Sequence, residues 1–160
     1  MLRHLTVENY ALIEQLDLEL DSRLSIITGE TGAGKSILMG ALGLLLGNKN
    51  DNTTFRDASR SCIIEGTFDV EGYALESFFE DNDLDYEPQM VVRRMISPAG
   101  KSRAFVNDMP VQLSVLKELG SHLIDIHSQH QNLILSDDSF RLHVVDTVAG
   151  AGETLSRYRS

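Results

Sequence analysis

Gly29-Glu30-Thr31-Gly32-Ala33-Gly34-Lys35-Ser36 decides how the rest of this chain is read. It spells G-x-x-x-x-G-K-S, the phosphate-binding P-loop. An apolar run, Leu24-Ser25-Ile26-Ile27-Thr28, precedes it, and a longer one, Ile37 to Leu46, follows. The first has the length of a buried strand and the second that of a buried helix. The chemistry accounts for the residue types. A loop that wraps a polyphosphate with its own N–H groups needs residues that accept positive φ and bring no Cβ, here Gly29, Gly32 and Gly34. The positive end of the helix dipole then faces the anion. Lys35 reaches the outer phosphates as a point charge, and the Ser36 hydroxyl suits Mg²⁺. Glu30, Thr31 and Ala33 complete the loop.

Upstream, Leu2 to Glu8 alternates apolar and polar, Asn9-Tyr10-Ala11 turns the chain, and Ile13 to Leu20 alternates again. A two-stranded hairpin is expected there, which makes the P-loop strand the third of the chain. Downstream, Gly47 is placed to end the helix, and Asn48 to Arg60 reads as a surface loop. Ser61–Val70 reads as a strand and Tyr73–Phe79 as a short helix. The acidic run Glu80 to Glu87 reads as a solvated loop. Gln89–Ser97 and Ser102–Asn107 form a second hairpin around the turn Pro98-Ala99-Gly100-Lys101. That hairpin carries Arg93, Arg94, Lys101 and Arg103, either a phosphate-contacting patch or a solvated cluster. Val111–Leu119 has helical spacing, interrupted at Gly120 or Ser121, and His122–His127 reads as a strand. A polar loop, Ser128 to Asn132, leads to a helix start at Ser136-Asp137-Asp138.

The bulk properties narrow the classes. The chain has 160 residues, enough for one domain or a piece of one, and is 42% hydrophobic. No apolar run reaches a membrane span, and Met1 to Leu5 lacks a signal-peptide core. The single cysteine, Cys62, cannot pair internally, which with the rest points to the reducing cytoplasm. A net charge of −10 argues against a broad nucleic-acid surface. Asn48-Lys49-Asn50-Asp51 and Asp69-Val70-Glu71-Gly72 match guanine-nucleotide motifs, but in reversed order and with the first after a helix; both read as coincidence. His127 and His130 offer two nitrogens without a third ligand nearby.

Three features together resemble one family: the hairpin with Asn9-Tyr10 at its turn, the P-loop in the form Thr28 to Ser36, and Ile124-Asp125-Ile126-His127-Ser128-Gln129-His130 preceded by Ser102-Arg103-Ala104-Phe105-Val106-Asn107. The chain resembles the RecN family of bacterial DNA repair proteins, relatives of the SMC ATPases, over essentially its whole length. The resemblance implies an α/β P-loop NTPase fold: the N-terminal lobe of an ABC/SMC-like ATPase head, with a mixed sheet around the P-loop helix and an antiparallel β part. It implies residues 1–135 as that lobe and 136–160 as a helical segment leading towards a coiled coil absent from this chain. It implies ATP and Mg²⁺ as cofactors, with Gly29 to Ser36 on the nucleotide and Ser36 and Gln129 on the metal. Lys35 and Gln129 are the implied catalytic residues, although Ser128 stands where the family has glycine. Arg56, rather than Arg60, matches the arginine that acts near nucleotide or DNA in SMC-like heads. The implied partners are the C-terminal half of the same head, a second head engaged through ATP, and DNA through the full-length protein, which is nucleoid-associated. The implied activity is ATP hydrolysis in double-strand break repair and recombination. No L-S-G-G signature and no apolar strand ending in Asp-Glu is present, so the chain reads as a fragment inactive alone. The alternatives are a small P-loop kinase or phosphotransferase, disfavoured by the two leading strands and the lack of an arginine-rich lid, and a nucleotide-gated interaction module.

Overall fold

The computed structural model describes residues 1–28, 32–49, 55–126 and 148–149. Residues 1–125 make one unit; a second runs from 126 to the end, and apart from residues 148–149 the helical segment expected at 136–160 lies outside the described residues. In chain order the elements are β1 (Leu2–Tyr10), β2 (Ile13–Glu19), α1 (Gly32–Leu45), β3 (Cys62–Asp69), α2 (Glu76–Asp81), β4 (Gln89–Ile96), β5 (Ser102–Val106), β6 (Met109–Val111) and α3 (Leu113–Leu123). The six strands form one sheet in the order β2-β1-β3-β4-β5-β6. Every pair is antiparallel. This is the expected antiparallel part; the described residues contain no parallel pair that would make the sheet mixed.

Period-two alternation separates the two faces of the sheet. Leu5 and Val7 of β1, Cys62, Ile64 and Phe68 of β3, Met90, Val92 and Ile96 of β4, and Ala104 and Val106 of β5 are all buried. Gly66 and Arg94 share that buried face, and the residues of the opposite face are half-buried or exposed. Helix α1 covers the buried face with Leu38, Ala41, Leu44 and Leu45, and α3 adds Leu116, Leu119 and Leu123. A fully buried leucine contributes about 1.5–3 kcal/mol relative to an exposed one, so the helices are held chiefly by this layer.

Gly47 ends α1 as expected. At φ +90 it lets Asn48 N–H donate to Gly43 O at 2.9 Å while its own N–H donates to Leu44 O at 3.2 Å. This paired closure fits a left-handed residue. It also places Asn48 directly after the end of α1.

The structure corrects three expectations and adds one strand. Leu24 to Thr28 is not a strand: no ladder includes it, and Leu24, Ile26 and Ile27 are 72%, 76% and 47% exposed. A strand needs a neighbour for its main-chain groups, and the described sheet offers none. Gly120 and Ser121 do not interrupt α3, which continues to Leu123. A Cβ at Gly120 would lie 2.6 Å from Leu46 O, so this glycine allows close helix packing rather than a break. His122–His127 is not a strand over its described part: His122 and Leu123 belong to α3, and Ile124 to Ile126 belong to no strand of the sheet. Strand β6 is additional. Asn107 (φ 46) and Asp108 (φ 62) form the two-residue turn with both φ positive that suits a tight hairpin, and three residues are too few for alternation to reveal a strand.

Candidate nucleotide site

Helix α1 presents two different halves. Its C-terminal half is sunk against the sheet, while Gly34, Lys35 and Ser36 at its start are exposed. Gly29, Glu30 and Thr31 lie outside the described residues; Gly32 and Ala33 open the helix. The first turn of α1 holds no acidic residue. Among the described residues, a Cβ built at Gly34 would meet nothing within 4 Å. The first main-chain N–H groups of a helix lack partners within it and carry partial positive charge. An open, acid-free helix start with exposed lysine and serine fits the oxygens of a polyphosphate and its Mg²⁺. Gln129, His127 and His130 lie outside the described residues. Among the described residues no cluster of three or more His, Cys, Asp or Glu groups is arranged to hold a metal.

The loop after α1 is held by β1. Asn9 has φ 53 and is 2% exposed. Its Nδ2 donates to the carbonyls of Asp57 and Arg60, both at 2.9 Å, and its Oδ1 accepts the Asp57 N–H at 2.7 Å. The Asp57 carboxylate accepts from Ser59 N–H at 2.8 Å and from the Ser59 hydroxyl at 2.6 Å. These two bonds pull its pKa below the usual carboxylate value. Arg56 turns back onto the first hairpin, donating to Leu12 O at 2.9 Å and pairing with Glu14 at 3.3 Å. Nothing in the sequence signals this arrangement, because Asn9 reads there as an ordinary turn residue.

The basic hairpin is largely consumed by the fold. Arg93 pairs with Asp108, lies 3.5 Å from Glu65 and stacks on Phe105 at 5.2 Å. Arg94 is 1% exposed on the helix-facing side of β4, with Nε donating to Ser102 Oγ at 2.7 Å. Burial lowers its pKa. Only Lys101 and Arg103 of the four are exposed, so the hairpin is no continuous patch of four cations. Its Ser102–Asn107 stretch is structural: Ala104 and Val106 are core, and Asn107 Oδ1 accepts the Val91 N–H at 2.9 Å.

A P-loop helix on an antiparallel sheet defines an α/β nucleotide-binding class, and the comparisons agree. The profile of the AAA domain family matches residues 4–143, and the chain belongs to that family. Its sequence is 39% identical over 160 residues to the DNA repair protein RecN of Vibrio cholerae, covering 99% of this chain and 29% of that protein. RecN of Haemophilus influenzae is also 39% identical, over 99% of this chain and 29% of its own length. RecN of Bacillus subtilis is 39% identical over 94% of this chain and 27% of its own. The chain thus spans less than a third of the relatives it matches. Among solved structures, an SMC ATPase studied for ATP-driven dimerization and DNA-stimulated activation superposes with TM-score 0.56 and 16% identity, over 92% of this chain and 98% of that one. The SMC head domain of Thermotoga maritima gives 0.55 and 20%, over 74% of this chain and 41% of that one. The recombination mediator RecF gives 0.54 and 16%, over 72% of this chain and 29% of that one. The shared fold is that of SMC heads and RecF.

Proposed function

We propose that this chain is the ATP-binding N-terminal part of a RecN-like ATPase head acting in DNA double-strand break repair. The observation that carries this reading is the open, acid-free start of α1 with Lys35 and Ser36 exposed, joined to 39% identity with RecN along nearly the whole chain. Gly29 to Ser36 cradle the triphosphate, Lys35 neutralises its outer oxygens and Ser36 supplies a hydroxyl to Mg²⁺. Gln129 reaches the metal and the attacking water. Bound Mg²⁺-ATP brings the phosphoanhydride to be cleaved; the chain's own residues bind and orient it. Turnover needs a further acid and a second head's contact with the outer phosphate, supplied by the C-terminal half and by an ATP-engaged partner head. The exposed Leu24, Ile26 and Ile27 are where the rest of the head adds its strands. DNA is engaged by the complete protein in the cytoplasm at the nucleoid.

Titration of the chain with Mg-ATP, beside Lys35→Ala, tests the reading. The wild type should bind, and the variant should lose about 1.5–3 kcal/mol or more of affinity, the value of a charge-assisted contact, with unchanged circular dichroism. Neither should hydrolyse ATP appreciably. Equal affinity in both would remove the P-loop assignment. Turnover near about 1 s⁻¹ that depends on Lys35 would instead favour a complete phosphotransferase.

A further inference from the structure

Two consecutive residues of β1 each grip a different segment that follows β2. The positive φ at Asn9 is rare for a residue with a side chain. It falls at the end of β1, where the chain meets both α1 and the loop beyond it. The Asn9 carboxamide, almost fully buried, is spent on the 55–61 loop through Asp57 and Arg60. That loop carries Arg56, whose guanidinium is set against Leu12 O and Glu14. Tyr10, the next residue, points its hydroxyl at the P-loop helix: a Cβ at Gly40 would stand 2.5 Å from Tyr10 Oη. Burial, with Cys62 adding to it, raises the Tyr10 pKa, so the group meeting the helix is a neutral phenol. Gly40 lies five residues beyond Lys35, about 7.5 Å along the helix axis at 1.5 Å per residue.

We propose that Asn9 and Tyr10 are positioning residues that couple the P-loop helix to the Arg56 loop. Tyr10 sets the height of α1 over the end of β1, and Asn9 fixes the loop to the same two residues of main chain. A displacement of the helix is then passed to Arg56 without a direct contact between them. Glycine at position 40 is required by the tyrosine hydroxyl, not by the helix. The inference rests on the nucleotide reading above only for its consequence; the coupling itself is a property of the chain without ligand.

Hydrogen exchange on the ligand-free chain tests it with four variants: Gly40→Ala, Tyr10→Phe, the two combined, and Asn9→Gly. Gly40→Ala should lower protection about tenfold in both α1 and the 55–61 loop. Tyr10→Phe should restore both, since the nearest other atom of the tyrosine lies 3.6 Å from the new Cβ, an ordinary contact. Asn9→Gly keeps the backbone conformation but deletes the carboxamide, so it should expose the loop and leave α1 protected. Loosening of α1 alone in Gly40→Ala, or no rescue by Tyr10→Phe, would overturn the proposal. Should Gly40→Ala not fold, the double variant and Asn9→Gly still decide it, because recovery of the fold in the double variant is itself the rescue. Mg-ATP is then added, with Lys35→Ala as control. The loop should respond to nucleotide in the wild type and not in Asn9→Gly, and an equal response in both would defeat the coupling. Absence of Lys35-dependent binding would count against the nucleotide reading alone, leaving the ligand-free result to judge the coupling.

Discussion

Arg94 and Cys62 show how far a side chain's role departs from its residue type. Arg94 Nη1 has no hydrogen-bond partner among the described residues, although the group is 1% exposed. Its opposite neighbours, Ile64 and Ala104, offer no polar side chain. Removing a buried ion whose needs are only half met is often neutral or stabilising by about 1–4 kcal/mol. Arg94→Met should therefore melt no lower than the wild type. A loss of several kcal/mol in a denaturant titration would reveal an acceptor that holds the charge. Cys62 is fully buried, and burial pushes its thiol up to about 11 from an ordinary 9.0. Between those values the unfolded chain has lost a proton that the folded chain keeps, so stability falls as pH rises from 9 towards 11. Cys62→Ala should flatten that alkaline limb. Below pH 9 a maleimide should label Cys62 no faster than the native state opens, and prompt labelling would contradict its burial.

At the scale of elements, the joint between α1 and α3 is built from glycine. Gly47 closes α1 at φ +90, and a Cβ there would lie 2.7 Å from the Lys117 main chain. Gly120, in the last turn of α3, faces Leu46 O. Alanine is the better helix former by about 1 kcal/mol, yet Gly120→Ala should destabilise the chain by about 1–3 kcal/mol, because main chain on the other side cannot move aside. Chemical denaturation measures it; a stabilised Gly120→Ala would mean that the two helices are free to separate. The same residue misled the sequence reading. A glycine in a periodic segment signals either an end or a close approach, and only the neighbouring helix decides which.

Across the described residues, α1 and α3 cover one face of the sheet, while Gly34, Lys35 and Ser36 at the start of α1 are exposed. Leu24, Ile26 and Ile27 are apolar, close in sequence and exposed. If they await strands of a larger head, they contribute little to this chain's own stability and much to its stickiness. Ile26→Lys should lower self-association and dye binding in the 160-residue chain while changing its stability by less than about 0.5 kcal/mol, as for surface positions. A strongly destabilised Ile26→Lys would show that the segment is already packed.

The sequence by itself determined the P-loop, the leading hairpin, the end of α1 at Gly47, and the main strands around the second hairpin. Each rests on local rules: fixed glycine spacing, period-two alternation, a left-handed cap. Tertiary structure alone decided the rest. The run at Leu24 to Thr28 has the composition of a strand, but strands exist only in pairs, and no described strand lies beside it. Four cations on one hairpin looked alike in sequence; the register put Arg94 inside and gave Arg93 to Asp108 and Glu65. Asn9 looked like a turn residue, and only the return of the chain at Asp57 and Arg60 gave its carboxamide its partners. Local propensity is written in neighbours along the chain, whereas pairing, burial and hydrogen-bond satisfaction belong to neighbours in space.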